Sequence, residues 1–461
     1  MKRSGLLLLV GASACLAVGA LAGTRPHYGG TLRLAMRDAP ASLDPANSRQ
    51  PDSVTTRSLS RLMFDTLVIL DGHGQPLPAL SSSWQVEPGN QRWQFSIRHG
   101  VTFQDGTAVS PDAVAASVRS ANPNWKVFPV GDAVVIECSA PTANLPAILA
   151  LTRNAIAKRA GGKLAGSGPF AISNWDPGKK LTLAARDDYW GGRAFLDGIE
   201  IEMGKSFREQ MILLDLDKAD VVEVAPDQAR HAVVEGRRVE NSAPAECMAL
   251  VFARDSQSVQ DGKLRQALAL SIDREAMNNV LLQGGGELSG ALLPNWMTGY
   301  AFLFPTAVDM QRAQLTRGEV PQAPAWTLGY DAADPLARVI TERIALNARD
   351  AGLRLQAVNS ATADVRLVRI PLASLDARVA LTNLVTRLGL PEPVFLGSGN
   401  RDEDSEDGLY TAERALLQSQ RIIPLLYLRC AMALSIQVRD WGQDQNGDWR
   451  LENVWLKAEK P

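Results

Sequence analysis

The sequence predicts an α/β protein divided into two or three lobes. Three observations carry this. At 461 residues the chain is longer than one hydrophobic core usually fills. Hydrophobic residues make up 46% and charged residues 21%, the balance of a chain that buries cores in water. Residues 325–330, 335–351, 353–358 and 365–370 read in turn as strand, helix, strand and strand, the order of an α/β lobe.

The first segment is of another kind. Lys2 and Arg3 precede an aliphatic run at residues 6–10, and small apolar residues continue to Gly23. Ala20-Leu21-Ala22 places small residues two apart, as a secretory cleavage site requires. Cleavage after Ala22 and export of the mature chain are expected. Two other readings stand beside it. Cys15 in ASAC is a lipid-anchor position without the usual Leu, and residues 5–22 nearly reach membrane-spanning length.

Residues 28–36, YGGTLRLAM, alternate as a strand, and SLDPAN turns the chain. In RWQFSIRHGVTF, from residue 92, Trp93, Phe95 and Ile97 alternate with Gln94, Ser96 and Arg98, which predicts a half-buried strand. Ser110-Pro111-Asp112 opens a helix. Ser110 is the cap, Pro111 stands where its missing N–H costs nothing, and Asp112 lies near the positive dipole end.

Residues 165–180, AGSGPFAISNWDPGKK, pose a choice between a phosphate loop and a hairpin. A phosphate loop of the GxxxxGK type needs Lys after its second Gly, with backbone N–H groups free to donate. Pro169 follows Gly168 instead and offers no N–H. Phe170, Ile172 and Asn174 fall on one face of a strand, and Ala171, Ser173 and Trp175 on the other. DPGK then turns the chain into a second strand at 181–185, so a hairpin is expected. Further strands are read at 196–201, 219–224 and 422–428, and helices at 207–216 and 409–420. Leu264, Leu268, Ile272, Ala276 and Val280 recur every fourth residue, with Asp273 restarting the helix as a cap and Gly284 to Gly286 ending it. Residues 401–407 read as a charged, solvated loop, and Asn446-Gly447 as a hairpin turn.

Net charge is -2, which provides no basic surface for nucleic acid. Beyond Cys15, the cysteines Cys138, Cys247 and Cys430 are odd in number and far apart, so they are expected as buried thiols with at most one bridge. The four histidines stand alone, without metal-ligand spacing, and no metal or other cofactor is expected. Asp105 and Asp112 read as a turn and a helix start rather than an acid/base pair. A hydrolase would need a nucleophile with its base, or two carboxylates across a cleft; neither pattern is present, and no enzyme is expected.

Six stretches, in order, carry a resemblance: YGGTLRL with SLDPA; LPALSSSW; WQFSIRHGVTFQDGTAVSPDAVAASV; GSGPFAISNWDPGKKLTLAARDDYWGG; KLRQALALSIDREAM; and IIPLLYL. Together they resemble the bacterial extracellular solute-binding proteins of family 5, the oligopeptide-, dipeptide- and nickel-binding components of ABC importers. The resemblance spans nearly the whole mature chain, with the segments 118–166 and 370–393 shorter than is usual. It implies a periplasmic-binding-protein-like fold, with two large lobes joined by hinge strands plus an inserted smaller domain. On this reading residues 1–22 are the signal peptide. Residues 23–56, 163–248 and 435–461 form domain I, 57–162 domain II and 249–434 domain III. The implied function is capture of a peptide or similar small solute by domain closure. The implied partners are that ligand and an ABC permease in the inner membrane, with the binding protein a monomer. A sensor or scaffold on the same fold with an altered cleft is the alternative.

Four ligand-binding residues are expected in a cleft between domain I and the lobe at about 249–434. Trp296 and Tyr300 follow the glycine break and offer apolar cover for ligand side chains, or else core packing. Arg366 and Arg369 on VRLVRI fall on opposite strand faces; Arg369, nearer the expected crossing, either recognises a carboxylate or is structurally paired. Glu392, in LGLPEPVFL, takes the place of the acidic residue with which peptide-binding members meet the ligand amine, or else is a solvated loop residue.

Overall fold

The computed structural model describes residues 26–47, 49, 52–254, 258–393, 395 and 406–457. Residues 1–25, the site of the expected export cleavage and of the lipid-anchor alternative at Cys15, and residues 401–405 of the expected charged loop lie outside the described residues. Glu406 and Asp407, expected in that loop, instead begin helix Glu406–Gln418.

Two long antiparallel strands organise the molecule. Arg238–Phe252 and Ile422–Leu434 pair along most of their length, from Arg238 opposite Leu434 to Val251 opposite Ile422. At one end Ile422–Leu434 also pairs with Val221–Val224, and the sheet continues through Thr31–Ala35, Gly198–Glu202, Lys180–Ala185 and Phe170–Asp176. At the other end Arg238–Phe252 pairs with Val365–Pro371, beyond which lie Ala325–Gly329 and Arg354–Val358. The strand expected at 422–428 therefore runs six residues further, to Leu434, and passes from one lobe into the other. Between the two ends the pairing slips at Asn241, Pro244 and Glu246. Pro244 has no N–H to give the ladder, and irregular pairing of this kind bends a strand.

Each end builds its own core. Leu32, Leu34, Leu181, Leu183, Ile199 and Ile201 pack in the first lobe. Met248, Leu250, Leu328 and Leu367 pack in the second against Leu264, Leu268, Ile340 and Ile344 of helices Val259–Ser271 and Ala337–Asp350. Leu264, Leu268 and Ile272 of the fourfold spacing read from the sequence lie in this core, but Val280, expected on the same face, is exposed, because the helix ends at Ser271 and a π turn at Met277–Leu281 shifts the phase. Asp273 caps the next turn by accepting from the Ala276 N–H. A third, smaller unit is a four-stranded antiparallel sheet, Ser81–Val86, Arg92–Ile97, Ala133–Glu137 and Lys126–Val130, under helix Pro111–Ala121. Trp93, Phe95 and Ile97 point into its core, and Ser110 caps its helix by accepting from the Ala113 N–H.

Residues 170–185 form the expected hairpin. One detail differs. The register slips between Ile172 and Asn174, so Trp175, expected on the opposite face, packs on the same core as Phe170 and Ile172. The glycines before the strand serve packing. Met63 and Phe64, at the end of helix Val54–Met63, lie where any Cβ on Gly166 or Gly168 would stand. The segment 370–393 holds helix Ala377–Leu388. Cys138, Cys247 and Cys430 are free; only Cys247 is fully buried.

Candidate functional site

Where the long strands cross between the lobes, they floor a cavity of about 510 Å3. The first lobe supplies Arg37 and Asp38, just past strand Thr31–Ala35, with Phe207 and Glu223. The second supplies Asp331, Asp334, Arg369 and Arg387, and the crossing itself supplies Glu246 and Arg429. A second cavity of about 430 Å3 adjoins the first at Asp52 and Arg387 and includes Arg57 and Arg153. Helix Val54–Met63 borders both. It is held there by Arg57, whose side chain is 2% exposed and lies 2.8 Å from Asp448, and by Arg61, 2.5 Å from Asp444.

The charges of the main cavity divide into paired and unpaired groups. Arg369 is bound by Glu246 at 2.5 Å and by Asp334 at 2.9 Å. Asp38 accepts from the Ser53 hydroxyl at 2.6 Å. Glu223 accepts from the Arg37 backbone N–H at 2.6 Å and the Gln210 amide at 3.1 Å. Burial pushes its carboxyl up, and these donors offset only part of that. Arg387 is pulled down by burial, its facing carboxylate Asp52 being 3.8 Å away. Arg37 stacks its guanidinium on Phe207, 5.1 Å from the ring centre, and its Nη1 is buried without a hydrogen-bond partner among the described residues. A buried N–H left unsatisfied costs free energy, so this atom is poised to donate to an incoming acceptor.

The four expected ligand residues are not brought together. Among them only Arg369 lines the main cavity, with its guanidinium already engaged by two carboxylates. Trp296 packs against the core of the second lobe and donates its indole N–H to the Pro244 carbonyl at 2.8 Å. Tyr300 is 7% exposed in that core and donates its hydroxyl to Glu413 at 2.8 Å. Glu392 is exposed beside a separate hollow with Pro391, Pro393 and Ala415. Arg366, on the same strand as Arg369, does not line the cavity, in keeping with their opposite faces. Sequence reasoning missed Arg37, Asp38, Glu223 and Glu246. The first two stood beside a correctly read strand, at its C-terminal end, where ligands of α/β sheets gather.

A cavity walled by two α/β lobes, with two strands running between them, is the architecture of a bilobal solute-binding protein. The chain belongs to the bacterial extracellular solute-binding proteins, family 5, whose middle-region model matches residues 75–366. It is 27% identical over 296 residues to a probable D,D-dipeptide-binding periplasmic protein of Escherichia coli, covering 57% of this chain and 56% of that one. The chain thus spans about half the length of that curated relative. Its fold matches a dipeptide-binding protein of a Pseudoalteromonas species in complex with Met-Leu, with a TM-score of 0.78 and 16% identity over 93% of this chain and all (100%) of that one. The oligopeptide-binding protein AppA of Bacillus subtilis, in complex with a nonapeptide, matches with a TM-score of 0.77 and 16% identity over 94% of this chain and 100% of that one. Among the described residues no helix is long and apolar enough to cross a membrane.

Proposed function

We propose that this protein captures a small zwitterionic solute of the peptide class between its two large lobes and delivers it to an ABC permease in the membrane. One observation carries the reading: the interlobe cavity takes charged groups of both signs from both lobes, and Arg37 offers it an unpartnered donor. A ligand carboxylate docks on Arg37. A ligand amine meets the acidic group of Asp331, Glu246 and Asp334 beside Arg369. Arg369 serves this site by holding Glu246 and Asp334 in place. Trp296 and Tyr300 support it from within the lobe, while Glu392 acts on the ligand only if closure brings its loop inward. The slipped pairing at Asn241, Pro244 and Glu246 supplies the bend for closure. No bond in the ligand is broken, and the exported protein works as a monomer. The relatives named for dipeptides and oligopeptides support the peptide class.

The test has two parts. Native mass spectrometry of protein from its own envelope identifies the carried solute, and small-angle scattering follows the radius of gyration with and without it. A smaller radius at saturation is expected. An unchanged radius would rule out closure, and turnover of the solute would replace the binding reading with an enzymatic one.

A further inference from the structure

Arg274 lies in the second lobe, in the short helix Arg274–Ala276 that follows the Asp273 cap. It is 4% exposed. Its Nε donates to the Pro424 carbonyl at 3.0 Å and its Nη1 to the Ala269 carbonyl at 3.4 Å. Its Nη2 has no acceptor among the described residues, and no described carboxylate pairs with it. Burial pulls its pKa down to about 10, with no neighbouring charge to oppose this. An arginine buried without a counter-charge is costly, and the cost falls sharply when an anion joins it.

Arg274 also lines a cavity of about 260 Å3 that shares no lining residue with the interlobe cavities. No Asp or Glu lines it. Its other polar groups are Gln266, Gln420 and the exposed Arg312, whose side chains have no partner among the described residues. The walls are apolar, with Leu270, Phe304 and Ile423 among them. About 150 Å3 already admits a benzene ring. A planar guanidinium matches a carboxylate with two parallel hydrogen bonds, and the apolar walls suit a hydrocarbon body better than a hydrated phosphate.

We propose that this cavity is a second binding site, separate from the interlobe cleft, for a small monocarboxylate with an apolar body. Arg274 takes the carboxylate from the base of the cavity, and Arg312 closes on it from the rim.

Benzoate and its neutral isostere benzamide are the probes, used on the full chain. Benzoate is expected to raise the unfolding temperature and benzamide to leave it unchanged. Arg312→Ala changes an exposed side chain and is expected to fold normally while weakening benzoate binding at least threefold by titration calorimetry. Arg274→Lys keeps the charge without the planar fork and is expected to weaken binding further. Equal shifts from benzoate and benzamide, or no shift at about 10 mM benzoate, would overturn the proposal. So would benzoate affinity within threefold of wild type for Arg312→Ala, whatever the fate of Arg274→Lys.

Discussion

Arg369 and Glu246 hold one another where the two lobes meet, with Nη2 and Nε of the arginine 2.5 Å and 3.0 Å from the same carboxylate oxygen. Asp334 completes the group at 2.9 Å. Burial alone lowers the affinity of Arg369 for its proton, but the two carboxylates outweigh it and hold the guanidinium well above its ordinary range. The trio joins the crossing strand, its neighbour Val365–Pro371 and the loop before helix Ala337–Asp350. One wall of the cleft is therefore fixed before any ligand arrives.

Arg369→Ala removes the only cation of this trio and leaves two largely buried carboxylates facing each other. A loss of about 3–5 kcal/mol in folding stability is expected. Urea unfolding of ligand-free protein measures it. Unchanged stability with lost solute affinity would make Arg369 a ligand contact instead of a scaffold.

Arg37 makes the opposite prediction. Its guanidinium has no ion-pair partner among the described residues and rests on Phe207. Arg37→Gln is expected to weaken binding of the co-purified solute at least tenfold while changing stability by less than about 1 kcal/mol. Calorimetric titration and urea unfolding, run side by side, separate the two effects. Unaltered affinity would take Arg37 out of the site.

Much of the framework was legible in the sequence, because short-range patterns encode it. Alternation marked Trp93, Phe95 and Ile97, fourfold spacing marked Leu264 and Leu268, and Ser110 and Asp273 marked helix starts. The longest strand was not legible. Residues 238–248, RVENSAPAECM, carry a proline and scattered charges, and the pairing slips there, so alternation never develops. The cleft stayed hidden for a related reason. Its parts lie far apart in sequence: Arg369 meets Glu246 across 123 residues and Asp334 across 35. Trp296 and Tyr300 drew notice as large aromatics near a glycine break, yet a buried core and a binding cleft leave the same mark on such residues. Pairing tells them apart: Tyr300 already has Glu413.

The hairpin glycines are predicted to matter through close approach. A Cβ on Gly166 would lie 1.9 Å from the Met63 carbonyl oxygen, and one on Gly168 2.5 Å from the Met63 carbonyl carbon. Gly168→Ala is expected to cost about 3 kcal/mol or more, because backbone must move to admit it. Gly178, in the turn, has φ of +72° with its nearest neighbour 3.8 Å away, so Gly178→Ala is expected to cost only about 1–2 kcal/mol through local strain. Thermal unfolding ranks the two variants, and equal costs would contradict the packing account.

Glu413 gives the second lobe a pH dependence whose sign can be worked out. It is 0% exposed and accepts from the backbone N–H groups of Leu292 and Leu293 and from the Tyr300 hydroxyl. Burial raises its pKa, the three donors oppose that, and the balance is about 7. An unfolded glutamate titrates near pH ~4.3. Between these values the folded protein holds a proton that the unfolded chain has released, so stability falls as pH rises through the window, by up to about 4 kcal/mol. Below the window both states are protonated and this loss is absent. Glu413→Gln keeps an oxygen for the two backbone N–H groups and an amide that can donate to the Tyr300 oxygen, but it cannot ionise. Urea unfolding at about pH 5 and about pH 8 is expected to show a smaller decline for Glu413→Gln than for wild type. Other buried carboxyls, such as Glu223 and Asp448, titrate alike in both proteins and cancel in that difference. Glu413→Ala removes the acceptor of the two buried backbone N–H groups of Leu292 and Leu293 and is expected to lose about 2 kcal/mol or more at both pH values. Parallel profiles for wild type and Glu413→Gln would mean that Glu413 titrates in the ordinary carboxylate range despite its burial.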